Sequence, residues 1–401
     1  MKTRELYVPS ESHIAVADGM RVLFLFVISW YHIWQQSWLA AYTKIGRFEL
    51  NLEPVVRTGY MWVDGMLLLS GFLCFLPYAR AMHDRIPMRG GVGNFYKKRV
   101  ARILPAYLFF LLAVLLFDLL PNGAYGKPAD MWRDILSHLT FTHIFFRYSY
   151  FNTPFSRLLW TLAVEVQFYL IFPLLAKAFM KRPAITWIGM VAVAWIYRGY
   201  VATHVTENDI WINQLIAFMD IYALGFLCAW MYVSLARSLK PSLALKILAT
   251  ALCAVICCAL WQVILRQLHT SGSDASRAMQ MRNRFSWGAL WSMFLLCATW
   301  SANWLRGLLS CRPMRFLAGI SYQYYLWHTY LLKKFKSKGI PHSDYESPNR
   351  DGDKVWQWQY TLLCFASALV VAILVTYLIE RPAQRFILSR KKNKENSPAA
   401  E

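Results

Sequence analysis

Long apolar runs broken by short polar connections set the plan of this 401-residue chain. About ten of the runs reach the length a helix needs to cross the hydrocarbon of a bilayer, roughly 20 residues at about 1.5 Å of rise each. They fall near 19–40, 57–78, 100–120, 157–180, 184–203, 211–236, 243–266, 284–304, 315–336 and 357–379. The pattern predicts an all-α, polytopic membrane bundle. The segment 131–147 is too short and too polar to span, and it predicts an interfacial helix on the outer face, placed to cover an entrance. Residues 1–18 are mostly polar and carry no cleavable-signal pattern, so they read as a retained N-terminal segment. Residues 386–401 read as a basic, disordered tail, which leaves 19–385 as the membrane domain.

Composition agrees, since 57% of residues are hydrophobic and only 16% charged, against about 25% charged in soluble domains. The net charge of +21 would point a soluble chain to nucleic acid. Here the cations gather in alternate connections: Arg80, Arg85, Arg89 and Lys97 to Arg102, then Lys181 and Arg182, then Arg237 and Lys240, then Arg306, Arg312 and Arg315, and finally the tail from Arg381. The intervening connections are poorer in cations, and the one near 204–210 has none and holds Glu207 and Asp209. Lys and Arg are retained on the cytoplasmic side, which predicts both termini there, an even number of spans, a plasma-membrane location and no nucleic-acid partner. Eight cysteines lie mostly inside apolar runs with no C-x-x-C spacing, so neither disulfides nor a metal site is expected. The chain shows no internal repeat of the kind that builds inverted-half transporters.

Ionisable residues inside the runs carry the chemistry, because charge in lipid is costly and is kept for function or pairing. In the first run Arg21 and His32 are eleven apart, which at about 100° per residue puts them on one helix face, about 16 Å apart along the axis. Arg99 and Arg102, three apart at the inner end of the third run, form a pair suited to gripping phosphate, although a charge run at a membrane boundary is also a plain topology signal. Glu165, His328 and Asp64 sit at depths in their runs comparable to that of His32, and this predicts one buried polar site fed by several helices.

These residues fall in motifs whose order resembles acyltransferase family 3, the integral-membrane O-acyltransferases of bacterial surface polysaccharides. The resemblance covers Arg21-x10-His32, Ser70-Gly71-Phe72, Arg99-x-x-Arg102 followed by Pro105 and Tyr107, and Trp160-x4-Glu165-x-x-Phe168-Tyr169. It continues through Ile320 to His328 and Glu380-Arg381-Pro382, with Met66 and Leu67 replacing the usual aromatic pair before Ser70. The resemblance implies an acyl-CoA donor, most often acetyl-CoA, held by Arg99, Arg102 and Arg21, and a hydroxyl acceptor on a glycan or lipid-linked sugar. His32 would then be the general base, or would itself be acylated, with Glu165 orienting or charge-balancing it. Tyr325 and His328 would stabilise an oxyanion or line the acceptor path, with Asp64 and Ser70 as further substrate-side candidates. The acceptor is expected to be chosen by the outer loops 121–156 and 337–356. A proton-coupled transporter or glycan exporter is the alternative, because buried His and Glu also serve proton relays, and a non-catalytic sensory partner is the third reading.

Overall fold

A computed structural model describes residues 14–86, 91–205, 209–270 and 272–389. Expectations placed on residues 1–13, Arg89, Glu207 and the tail beyond 389 lie outside them. The described helices are α1 (Ala15–Ser37), α2 (Glu53–Arg57), α3 (Trp62–Asp84), α4 (Val92–Val114), α5 (Pro128–Leu139), α6 (Arg147–Phe151), α7 (Leu159–Lys181) and α8 (Pro183–His204). They continue with α9 (Met219–Ser238), α10 (Leu243–Leu268), α11 (Ser273–Trp300), α12 (Asn303–Ser310), α13 (Arg312–Ser337), α14 (Lys354–Val375) and α15 (Arg381–Ser389). A hairpin of β1 (Tyr42–Ile45) and β2 (Phe48–Asn51), turning at Gly46 with φ +61°, makes up the strand content among the described residues.

The protein is thus an all-α polytopic membrane protein. Eight described helices are long and apolar enough to cross a bilayer. The other two predicted spans do form long helices, α11 of 28 residues and α13 of 26. Polar residues keep them below the apolarity of the rest: Asp274, Arg277, Arg282 and Arg284 open α11, and Tyr, Gln and His stud the middle of α13. The segment 131–147 is not one helix. α5 ends at Leu139, a short 3-10 turn spans His143–Phe145 and α6 follows, with Trp132, Leu136, Phe145 and Phe146 exposed. It keeps the expected amphipathic character, apolar outward and polar inward.

The chain divides into two compact units, each considered by itself. Unit 1 comprises residues 14–86 and 174–321, and unit 2 residues 91–173 and 322–389.

In unit 1, α3 and α9 approach closely because glycines face backbone. A Cβ on Gly225 would lie 2.7 Å from the Leu68 carbonyl oxygen, and one on Gly71 would lie 3.2 Å from that of Tyr222. The glycine of the Ser70-Gly71-Phe72 motif is therefore a packing residue, as small residues are where membrane helices meet. Phe24 of α1 sits among Trp62 and Trp291, with ring centroids 6.0 and 4.7 Å away. The most severe approach is at Gly19, where a Cβ would stand 2.1 Å from the carbonyl oxygen of Leu309 in α12. Neither backbone can yield without moving a helix. Gly19→Ala is expected to cost about 1–3 kcal/mol, read as a lower melting temperature of the detergent-solubilised protein, whereas the same change at open Gly307 of α12 leaves it in place.

Unit 1 also buries an ion network. Arg198 grips Asp220 with two bonds of 2.8 and 2.5 Å, Arg284 lies 3.4 Å from Asp64, and both guanidiniums donate to the Ala217 carbonyl. Two acids and two bases cancel, which is how charge survives in a lipid-facing fold. In unit 2, Tyr322 donates to the Ile103 carbonyl (3.2 Å), Tyr107 to that of His138 (3.0 Å), and Gln323 to Glu380 (2.8 Å). Glu380 closes a π-helical turn, Thr376–Glu380, which turns the acid of the Glu380-Arg381-Pro382 motif inward onto α13.

Candidate functional site

In unit 1, α1 runs unbroken from Ala15 to Ser37, so Arg21 and His32 do share a helix face. Arg21 is 3.7 Å from Asp18, one turn earlier. His32 Nδ1 lies 3.2 Å from Gln35 Oε1, and the Gln35 amide nitrogen donates to the Tyr31 hydroxyl at 2.8 Å. With the amide oriented that way, Oε1 can only accept, so Nδ1 carries the imidazole proton and Nε2 keeps the lone pair. In the neutral ring this makes Nε2 the acceptor nitrogen. Asp64, 1% exposed, belongs to the ion network with Arg284, and Ser70 is half-buried in α3 beside the packing glycine.

Unit 2 holds Arg99, Arg102, Glu165, Tyr325 and His328 of the sequence-predicted residues. The Tyr169 hydroxyl donates to Glu165 Oε1, one turn earlier on α7. The Arg99 guanidinium of α4 lies over the ring of the same tyrosine, 5.1 Å from its centroid, and over Phe95 at 5.4 Å. Arg99 and Glu165 are thus linked through one ring. Arg102, the other member of the pair, is exposed, and its charge acts on Glu380 and on the Tyr322 hydroxyl. Tyr325 of α13 donates to the Leu158 carbonyl at 2.6 Å and shares a hydrogen bond with Thr161, which stands one turn before Glu165. Its proton is committed, so it meets an oxyanion only by giving up that carbonyl. His328, buried at 1% exposure, places Nδ1 3.1 and 2.9 Å from the carbonyls of Tyr324 and Tyr325. Carbonyls only accept, so Nδ1 is protonated and Nε2 accepts, which suits a hydroxyl donor better than an oxyanion.

Sequence reasoning missed the roles of Thr161, Gln35 and Gln323. Thr161 and Gln35 had a detectable signal, the i,i+4 step to Glu165 and the i,i+3 step from His32; Gln323 pairs with a residue 57 positions away. It also passed over a second polar cluster in unit 2, beneath α5. Asp134, His138 and His143 are buried there, the two imidazoles stacked with centroids 4.1 Å apart, His138 3.2 Å from Asp134, and Asp134 bonded by Tyr125 and Thr153 at 2.9 Å. Burial first, and the neighbouring His138 next, push the His143 imidazole down to about 3. Below its ordinary value of about 6.5 the unfolded chain takes up a proton that the folded chain refuses. The stability held by neutral His143 is therefore present above about pH 6.5 and drains away as the pH falls towards 3, by up to about 1.4 kcal/mol per unit. Melting curves between pH 7 and 4.5 are expected to show this slope, and His143→Asn to flatten it. Among the described residues no group of acids, histidines or cysteines is arranged to hold a metal.

A family model described as an acyltransferase domain matches residues 14–381, nearly the whole chain. The chain is similar to the peptidoglycan O-acetyltransferase OatA of Listeria monocytogenes, with 21% identity over 394 residues, covering 94% of this chain and 56% of that protein. It is also similar to the O-acetyltransferase OatA of Staphylococcus aureus, 28% identical over 183 residues, covering 43% of this chain and 26% of that one. This chain spans about half the length of the first relative and a quarter of the second. No solved structure matches it.

Proposed function

Because this chain belongs to acyltransferase family 3, we propose that it is a membrane O-acyltransferase that moves a short acyl group, acetyl foremost, from acyl-CoA to a hydroxyl of an envelope glycan or lipid-linked sugar. The observation that supports the proposal best is the Arg99–Tyr169–Glu165 chain in unit 2, which ties a guanidinium in the first turns of α4, suited to phosphate, to a carboxylate inside a span. A transporter has no need of that coupling. The names of the OatA relatives, which speak of O-acetyl transfer and peptidoglycan, support the choice of acetyl and of an envelope glycan.

In the proposed reaction Arg99 and Arg102, with Arg21, bind the phosphates of CoA from the cytoplasmic side, bidentate and charge-assisted. His32 Nε2 takes the proton of the acceptor hydroxyl as its oxygen attacks the thioester carbonyl. The tetrahedral intermediate collapses with cleavage of the C–S bond, and the departing CoA thiolate recovers the proton from the imidazolium. Glu165 stabilises the charged imidazole while it lasts. His328 Nε2 accepts from a second hydroxyl of the acceptor and so positions it, and Tyr325 bounds its path. Attack by His32 itself, with an acyl-imidazole between two half-reactions, uses the same residues. The distribution of Lys and Arg supports cytoplasmic termini, and an envelope-glycan acceptor supports the plasma membrane as the location.

The test is transfer of label from radiolabelled acetyl-CoA to envelope glycan by the purified, reconstituted protein. Base-labile label on the glycan with stoichiometric release of CoA is expected. CoA left intact while the glycan crosses the vesicle membrane would establish the exporter instead.

A further inference from the structure

The sixteen residues between Ser337 and Lys354 form no helix or strand, a length at which loops in compact folds usually carry function. The loop is nevertheless firmly built. Trp356 donates from its indole to the Pro341 carbonyl at 3.0 Å, Ser343 bonds Asp353 at 2.8 Å, the Ser347 amide bonds Asp351 at 3.1 Å, and Gln357 holds the Asn349 carbonyl at 3.2 Å. All of these partners lie within the loop or in the first turn of α14. They enclose a cavity of about 220 Å³, the scale of one small ring rather than of a drug-sized ligand.

The side chains of Tyr345, Glu346, Ser347 and Asn349 line this cavity and take no part in the hydrogen bonds that hold the loop among the described residues. Tyr345 is 56% exposed, while Trp356 behind it is locked by its indole bond and by stacking on Tyr360 at 4.8 Å. An open aromatic face beside an amide, a hydroxyl and a carboxylate is the chemistry that meets a sugar ring, whose C–H face lies on the aromatic while its hydroxyls bond at the edge. Charge excludes a polyanion: Lys336, Lys338, Arg350 and Lys354 are matched by Asp344, Glu346, Asp351 and Asp353. The loop leaves α13 at the end away from Arg312 and Arg315, the outer end on the proposed orientation.

We infer that the 336–356 loop is an acceptor-recognition subsite that holds one uncharged sugar residue of the glycan against Tyr345. This rests on the acyl-transfer reading. It assigns acceptor selection to a rigid loop of unit 2, in which Tyr345 and Asn349 bind a ring and take no part in the chemistry.

The test uses the full chain reconstituted in vesicles, radiolabelled acetyl-CoA, and solubilised envelope glycan from cells lacking this protein as acceptor. Tyr345→Ala and Asn349→Ala are expected to raise the acceptor KM about tenfold, equivalent to about 1.4 kcal/mol of lost binding. The value of kcat at saturation and the slow hydrolysis of acetyl-CoA without acceptor stay within about twofold, and Tyr345→Phe, which keeps the ring, restores most of the affinity. An unmoved acceptor KM in both variants with transfer intact overturns the subsite and leaves the acyl-transfer reading standing. A wild-type protein that neither hydrolyses acetyl-CoA nor labels the glycan removes both.

Discussion

His32→Ala is expected to lower acetyl transfer about a thousandfold while the protein is still inserted, folded and able to bind donor. The size follows from general-base catalysis, which contributes about 10²–10⁴-fold where the base is placed on the proton it removes. The specificity follows from geometry: Gln35 and Tyr31 fix the His32 tautomer with Nε2 as the acceptor. Alanine removes the base and disturbs no core, since the ring is only half-buried. Binding of acetyl-CoA, measured by titration of the reconstituted protein, is expected to stay within about twofold, because the phosphates are assigned to arginines. Gln35→Leu is a milder version, in which the imidazole remains but its tautomer is no longer set; a roughly tenfold fall in kcat with KM unchanged is expected. Equal loss of transfer and of donor binding in His32→Ala would mean that the residue holds structure, and the base would have to be sought elsewhere.

The second large effect separates the two members of the arginine pair. Each charge-assisted contact to phosphate contributes about 1.5–3 kcal/mol, so losing either raises the KM for acetyl-CoA by about 10–100-fold. Arg102 is exposed, and Arg102→Ala should change KM alone. Arg99 also lies over Tyr169, whose hydroxyl bonds Glu165. Arg99→Ala therefore lowers kcat as well, because the carboxylate loses the partner that orients it. Arg99→Lys restores only part of the donor affinity and little of kcat, since an ammonium cannot lie flat across an aromatic ring. Steady-state kinetics on the three variants read the split directly. Unchanged kinetics in all of them would remove the arginine pair from the donor site and leave the CoA grip to be sought on other residues.

What was legible in the chain beforehand follows from which forces are local. Apolar length is local, and all eight apolar spans were readable from it, although α4 was placed eight residues late, at 100 instead of Val92, because Lys97, Lys98 and Arg99 fall in its first turns. α11 was placed too late, at 284 instead of Ser273, because its first three turns carry Asp274, Arg277 and Arg282 and do not look like a span. The β1–β2 hairpin is short and largely exposed and left no periodic trace. The Arg21–His32 alignment was readable because one helix carries both. Long-range pairings were not. Nothing local says that Asp64 faces Arg284, 220 positions away, or that Tyr169 lies under Arg99. Likewise, the glycine of Ser70-Gly71-Phe72 took its meaning only from Tyr222, on another helix. The Asp134–His138 step was visible as an i,i+4 pair, yet its burial depends on the short turn that folds His143 back onto it.

The central proposal is that one proton transfer needs both His32 and Glu165. A double-mutant cycle on kcat/KM for acetyl transfer, with His32→Ala, Glu165→Gln and the pair, tests it most directly. The account predicts a double variant no slower than His32→Ala alone, since a carboxylate has nothing to stabilise once the imidazole is gone. Losses that multiply would contradict it, because each residue would then be working in a separate step.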